Sequence, residues 1–126
     1  MYDSIYTDKP YKNNKTVSFL VYNGKVISFG VNSAKTSPLQ KYYRSRTDLK
    51  DVENFIDMEH SEINCLRRFD GDVKWHKVEL VIISKQKDGK FRLARPCKVC
   101  MSAIKDFGIH KIYYTTKNQT FMFEEV

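Results

Sequence analysis

Cysteine is scarce in this 126-residue chain, and its three residues cannot all pair. A disulfide framework is therefore excluded, and two of the three sit in a C-x-x-C, which in a reducing compartment favours metal or redox use. Long apolar runs are missing as well. None approaches the roughly 20 residues that span a bilayer, so no membrane association is expected. The first residues, Met1-Tyr2-Asp3-Ser4, lack the basic-then-apolar pattern of a signal peptide. The expected compartment is the cytoplasm, of a cell or of an infected host. Internal repeats, linkers and low-complexity blocks are absent too, as are an arginine-rich tail and any aromatic-basic repeat.

What is present describes one globular domain. The chain is 41% apolar and 29% charged, and its length allows a real core. The formal charge is +7. Its lysines and arginines are spread out, with local concentrations from Lys35 to Lys50 and from Lys85 to Lys98. Such a balance fits an anionic substrate, nucleotide or polynucleotide, and fits a merely basic surface nearly as well.

Residues 1–15 are polar and tyrosine-rich and read as a lead-in to a single domain over 16–126. Val17–Tyr22 and Lys25–Val31 flank Asn23-Gly24, a strong hairpin signal because Asn-Gly suits the two φ > 0 positions of a type I′ turn. A polar, basic connection follows through Ser33–Pro38. Ile63, Leu66 and Phe69 recur at helical spacing, predicting a helix from near His60 to Asp70-Gly71. Val78–Ile83 reads as a strand buried on both faces, and Lys87–Lys90 as a turn. Cys97, Cys100, Met101 and Ile104 define a second helix between Pro96 and Gly108. Strands over Ile109–Thr115 and Thr120–Glu124 complete the order β-β-α-β-α-β-β. Only Lys117-Asn118-Gln119 separates the last two strands, which fits an antiparallel hairpin.

Two motifs carry chemistry: His60-Ser61-Glu62 and Pro96-Cys97-Lys98-Val99-Cys100. Together they offer three zinc-type ligands, His60, Cys97 and Cys100, and one carboxylate, Glu62, that is not needed as a ligand. A zinc hydrolase needs three protein ligands, an open fourth position for water and a nearby acid/base. Two thiolates one helical turn apart at a helix start are favoured by the unpaired amides there. With a neutral imidazole they balance the charge of one divalent ion. A lone C-x-x-C also suits a redox pair or half a structural zinc site, and a lone H-x-E suits a polar helix surface. Cys65, on an apolar helix face, reads as a packed core residue, and His76 and His110 as surface or edge residues.

Joined, the motifs resemble the cytidine/deoxycytidylate deaminase superfamily over residues 16–126. The resemblance rests on H-S-E at 60–62, P-C-K-V-C at 96–100, Gly30-Val31-Asn32, and the helix-GI-strand run Met101–Tyr114. Lys35–Gln40 and Arg95-Pro96 are similar to short deaminase-like proteins of phages and large viruses. The resemblance implies an α/β fold, a three-layer α/β/α with a mixed five-stranded sheet whose last hairpin is antiparallel. It implies one Zn2+ per chain on His60, Cys97 and Cys100, with Glu62 as the catalytic proton shuttle. Asn32 would bind substrate, with Ser61 and Pro96 beside the ring and Lys35, Thr36 and Arg95 as phosphate candidates. Ser61 stands where that family usually has Ala, and Arg95 where an acidic or small residue is more usual. The expected reaction is hydrolytic deamination of a cytosine nucleoside or nucleotide, deoxycytidylate-type, in a homo-oligomer. The antiparallel last hairpin resembles enzymes of free nucleosides and nucleotides. The alternative is a cytosine or adenine deaminase acting on single-stranded DNA, RNA or tRNA, with Tyr42, Tyr43 and Phe91 as a stacking surface. A third reading is a non-catalytic zinc module.

Overall fold

The computed structural model describes residues 14–46 and 58–126; the lead-in up to residue 13 lies outside them. Five strands, β1 (Asn14–Tyr22), β2 (Lys25–Val31), β3 (Glu79–Gln86), β4 (Lys111–Thr115) and β5 (Phe121–Glu125), form one sheet in the order β2-β1-β3-β4-β5. Residues 14 and 15, expected in the lead-in, are the first two of β1. The β1–β2 turn has Asn23 at φ 53° and Gly24 at φ 76°, the left-handed pair a two-residue hairpin requires. Before the turn, the β1–β2 register shifts at a bulge between Leu20 and Val21. Only β3 and β4 are parallel; β1–β2, β1–β3 and β4–β5 are antiparallel. The mixed sheet and its closing antiparallel hairpin are as expected.

Three helices are described: α1 (Pro38–Ser45), α2 (Ser61–Arg68) and α3 (Lys98–Phe107). The first was not expected. It starts on Ser37, whose side chain accepts from Gln40 N, with Pro38 in the first helical position, the preferred start of a helix. The third stops at Gly108, φ 96°, where Ile109 N–H donates to the Ile104 carbonyl, a left-handed cap that only glycine adopts without strain.

One cluster joins the helices to one sheet face: Leu20, Leu80, Ile82 and Ile112 from the strands, Tyr43, Ile63, Leu66, Val99, Ala103 and Ile104 from the helices. Burial of each large aliphatic side chain contributes about 1.5–3 kcal/mol. The opposite face is different. Val17, Phe19, Phe29, Val31, Ile83, Lys85, Phe91 and Phe121 line a groove of about 700 Å³ there. Accordingly β3 is not buried on both faces: Leu80, Ile82 and Ser84 are buried, while Val81 and Ile83, which alternate with them, are only half-buried. Among the described residues, no helix is long and apolar enough to cross a membrane.

Candidate active site

Helices α2 and α3 both begin on a residue with metal-binding chemistry. His60 is the N-cap of α2 and Cys97 the N-cap of α3, and neither side chain caps its own helix. At the start of α2 other side chains do that work. Asn32 Oδ1 accepts from Ser61 N at 2.9 Å, and Gln40 Oε1 accepts from His60 N at 3.0 Å. With its backbone amide satisfied from α1, the imidazole of His60 turns toward the cysteines.

Gly30 makes this seating possible. A Cβ at this position would lie 2.5 Å from the Ser61 carbonyl oxygen and 2.7 Å from Cys65 Cα, so α2 lies flush on β2 only because glycine is there. Along the contact, Ser28 Oγ donates to the Cys65 carbonyl, Val31 N donates to Asn64 Oδ1, and Ser33 and Glu59 exchange both backbone hydrogen bonds. The buried Glu59 carboxylate accepts from Arg67 Nε at 2.7 Å, Arg67 NH2 at 2.9 Å and Asn64 Nδ2 at 2.8 Å. Burial alone would raise its pKa; hydrogen bonds from Arg67, Ser37 and Asn64 more than offset this and hold it below the usual carboxylate value.

His60 Nδ1 lies 3.2 Å from Cys100 Sγ and 3.4 Å from Cys97 Sγ, and the three donor atoms all lie within 4.8 Å of one another. Tetrahedral zinc, with Zn–S near 2.3 Å and Zn–N near 2.0–2.1 Å, sets N and S about 3.5 Å apart. The donor set therefore fits one zinc ion. Of the three donors, Cys97 is the one shifted toward its metal-binding form. The Cys97 thiol is pulled down to about 4 by its hydrogen bond with Cys100, against burial and with help from His60. Burial lifts Cys100 well above the ordinary thiol value. At His60 burial opposes the charged form, but the hydrogen bond and charge of Cys97 outweigh it and the pKa rises.

Glu62 lies in the first turn of α2 and is buried. Its carboxyl is raised above 4.5, chiefly by burial, while the charge of His60 lowers it. Ser61, fully buried, places its hydroxyl 3.0 Å from Glu62 Oε1 and 2.7 Å from Ser18 Oγ. Ser61 thus presents its hydroxyl to the protein interior. Pro96 is buried next to Cys97.

The remaining expected residues are less gathered. Lys35 is exposed, and its backbone N–H donates to Ser33 Oγ. Thr36 keeps a buried hydroxyl with no hydrogen-bond partner among the described residues. Arg95 forms a two-point pair with Glu124 of β5, at 3.0 and 2.8 Å. The aromatic stacking surface is not assembled. Tyr43 is only 4% exposed and donates to Asp106, and Phe91 lines the groove on the far side of the sheet. Cys65 is fully buried, and His76 and His110 are exposed, as expected.

Gln40, Glu59, Asn64 and Ser18 were missed. For Gln40 a signal existed: Ser37-Pro38 followed by Leu39, Tyr42 and Tyr43 at helical spacing.

No curated protein sequence matches the chain significantly. Among solved structures, the dCMP deaminase of cyanophage S-TIM5 is similar in its apo form, with a TM-score of 0.54 and 19% identity over 91% of this chain and 74% of that one. The same phage enzyme in complex with dCMP and dUMP gives a TM-score of 0.55 and 21% identity over 91% and 73%. At that identity the likeness speaks for the fold. The profile of the cytidine and deoxycytidylate deaminase zinc-binding region matches residues 3–116. With nearly the whole length matched and the three zinc donors brought together, the chain belongs to the cytidine and deoxycytidylate deaminase zinc-binding family.

Proposed function

We propose that the protein hydrolyses the exocyclic amino group of a cytosine nucleoside or nucleotide, deoxycytidylate-type, giving the uracil product and ammonia. The observation that carries this is Glu62, a buried carboxylate in the first turn of α2 that is not one of the three clustered donors. A purely structural zinc site gains nothing from such a group. The antiparallel β4–β5 hairpin and the nucleotides bound by the similar phage enzyme support a free nucleotide over a polynucleotide.

In this reading His60, Cys97 and Cys100 hold one zinc ion. Bound there, zinc supplies the acidification that makes water a nucleophile near neutral pH. Glu62 takes the proton of the attacking water and delivers it to ring N3 as the new C4–O bond forms. It then carries the C4 hydroxyl proton to the amine, the C4–N bond breaks, and ammonia leaves. Such a shuttle contributes roughly 10²–10⁴-fold, and burial keeps the carboxylate basic enough to accept a proton. Asn32, its Oδ1 engaged by Ser61 N, is oriented to offer its Nδ2 to the substrate. Lys35 and Thr36 are the phosphate candidates, with Arg95 reaching a phosphate only by leaving Glu124.

The test is mass spectrometry of zinc-loaded protein with cytidine, CMP, dCMP, dCTP, adenosine, AMP and single-stranded DNA and RNA. Glu62→Ala should retain zinc and lose turnover by at least about 10³-fold. Conversion of a free cytosine compound by the parent alone supports the reading. Persistent turnover in the variant removes Glu62 from its role, and conversion only within a polynucleotide replaces the substrate class.

A further inference from the structure

The serine between His60 and Glu62 turns its hydroxyl into the protein interior. Its hydroxyl is enclosed with Ser18 Oγ at 2.7 Å and Glu62 Oε1 at 3.0 Å, and both serines are fully buried. A hydroxyl has one hydrogen, and an ionised carboxylate only accepts. If Ser61 donates to Glu62, the Ser18–Ser61 contact leaves Ser18 as the donor to Ser61. The three groups form a directed chain: Ser18 to Ser61 to Glu62.

We propose that Ser61 is a positioning residue for Glu62 and that Ser18 fixes the direction of the Ser61 hydroxyl. This rests on the deaminase reading above and deepens it. Ser18 sits in β1, paired on one side with Gly30 of β2 and on the other with Ile82 of β3. The chain therefore anchors a catalytic carboxylate to the interior strands of the sheet. It engages Oε1 and leaves Oε2 to meet water and the pyrimidine ring, so one oxygen is held while the other exchanges protons. A side chain fixed this way spends less of its time outside the reactive geometry, which appears in the rate and not in substrate binding. An alanine at position 61 would keep the packing and remove the donor.

The experiment compares parent, Ser61→Ala, Ser18→Ala and the double variant, each zinc-loaded, using cytidine, CMP or dCMP, whichever the parent converts. Zinc per chain and Tm are measured on the same samples. Binding is also measured to dUMP and to a pyrimidin-2-one nucleotide, which lacks the amino group and takes up water across its ring C=N bond. Ser61→Ala should lower kcat about tenfold with KM within about twofold, and weaken the pyrimidin-2-one nucleotide by a similar factor while dUMP binding holds. Ser18→Ala should do the same more weakly, and the double variant should match Ser61→Ala, because Ser18 acts only through Ser61. Unchanged kcat in Ser61→Ala overturns the proposal, as do additive losses or a fall in activity that merely follows lost zinc or Tm. Inactivity of the parent toward all three compounds fails earlier, at the deaminase reading, and takes this proposal with it.

Discussion

Helix α2 is laced to its surroundings by directional bonds from Asn32, Ser28, Gln40 and the Val31 amide, with Glu59 and Arg67 closing the lattice below it. Helix α3 instead presents Val99, Ala103 and Ile104 to the apolar cluster shared with Leu80, Ile82 and Ile112. Each helix brings its own kind of chemistry to the site. The laced helix carries the imidazole and Glu62, the carboxylate proposed to shuttle protons, whose reach and angle must be held closely. The packed helix carries two thiols, set one turn apart by the helix itself. Hydrogen bonds fix direction, whereas apolar burial fixes proximity and tolerates small slides.

Breaking the lacing at its tightest point should have the largest effect. Gly30→Ala drives a methyl group into the Ser61 carbonyl and Cys65. An overpacked contact against backbone costs about 1–3 kcal/mol or more, and here displacement also moves His60 and Glu62. Turnover should fall at least about 10²-fold even in molecules that remain folded, measured as kcat per zinc-loaded chain beside Tm. Full kcat in a folded Gly30→Ala protein would mean that close seating of α2 is unimportant to the chemistry. Ile104→Ala attacks the packed helix. Loss of a fully buried isoleucine costs about 2–5 kcal/mol, visible in urea unfolding, yet kcat well below Tm should change little. A large kcat loss there would erase the distinction between the two helices.

The smallest effect sharpens the electrostatic side of the lacing. Glu59 is held below its unfolded value near 4.5. Its contribution is thus fully present above that value and lost as pH falls through the folded pKa. Arg67→Met should cost about 1–3 kcal/mol at pH 7, and the gap from the parent should close at acid pH, below 4.5, as the pH falls through the lowered pKa of Glu59. Urea titrations at both pH values, at matched zinc content, check this. A gap that stays constant would show that Arg67 stabilises α2 by packing alone.

The three-donor cluster was legible because the cysteines lie one helical turn apart at a helix start, a spacing that encodes side-chain direction locally. The hairpins were legible from Asn23-Gly24 and from the brief Lys117–Gln119 connection for the same reason. What holds the site was not legible. Gln40 meets the His60 amide across 20 residues, and Arg95 meets Glu124 across 29. Neither partnership leaves a periodic trace. A motif gives order along the chain, whereas the side the Ser61 hydroxyl takes depends on where β1 sets Ser18. The half-buried outer face of β3 has the same origin. An apolar run says that a strand is apolar, not which of its faces the rest of the fold covers.

The position of β1 between β2 and β3 also constrains the order in which the molecule assembles. Its hairpin with β2 closes over two residues, but Thr16 meets Ser84 across 68 positions and His60 meets Cys97 across 37. Long closures of this kind are slow compared with local turns. The hairpin should therefore form early and wait for both long closures. The three-donor cluster is completed only when such a closure is made, so a newly made chain should pass through a stage in which its thiols stand apart from His60.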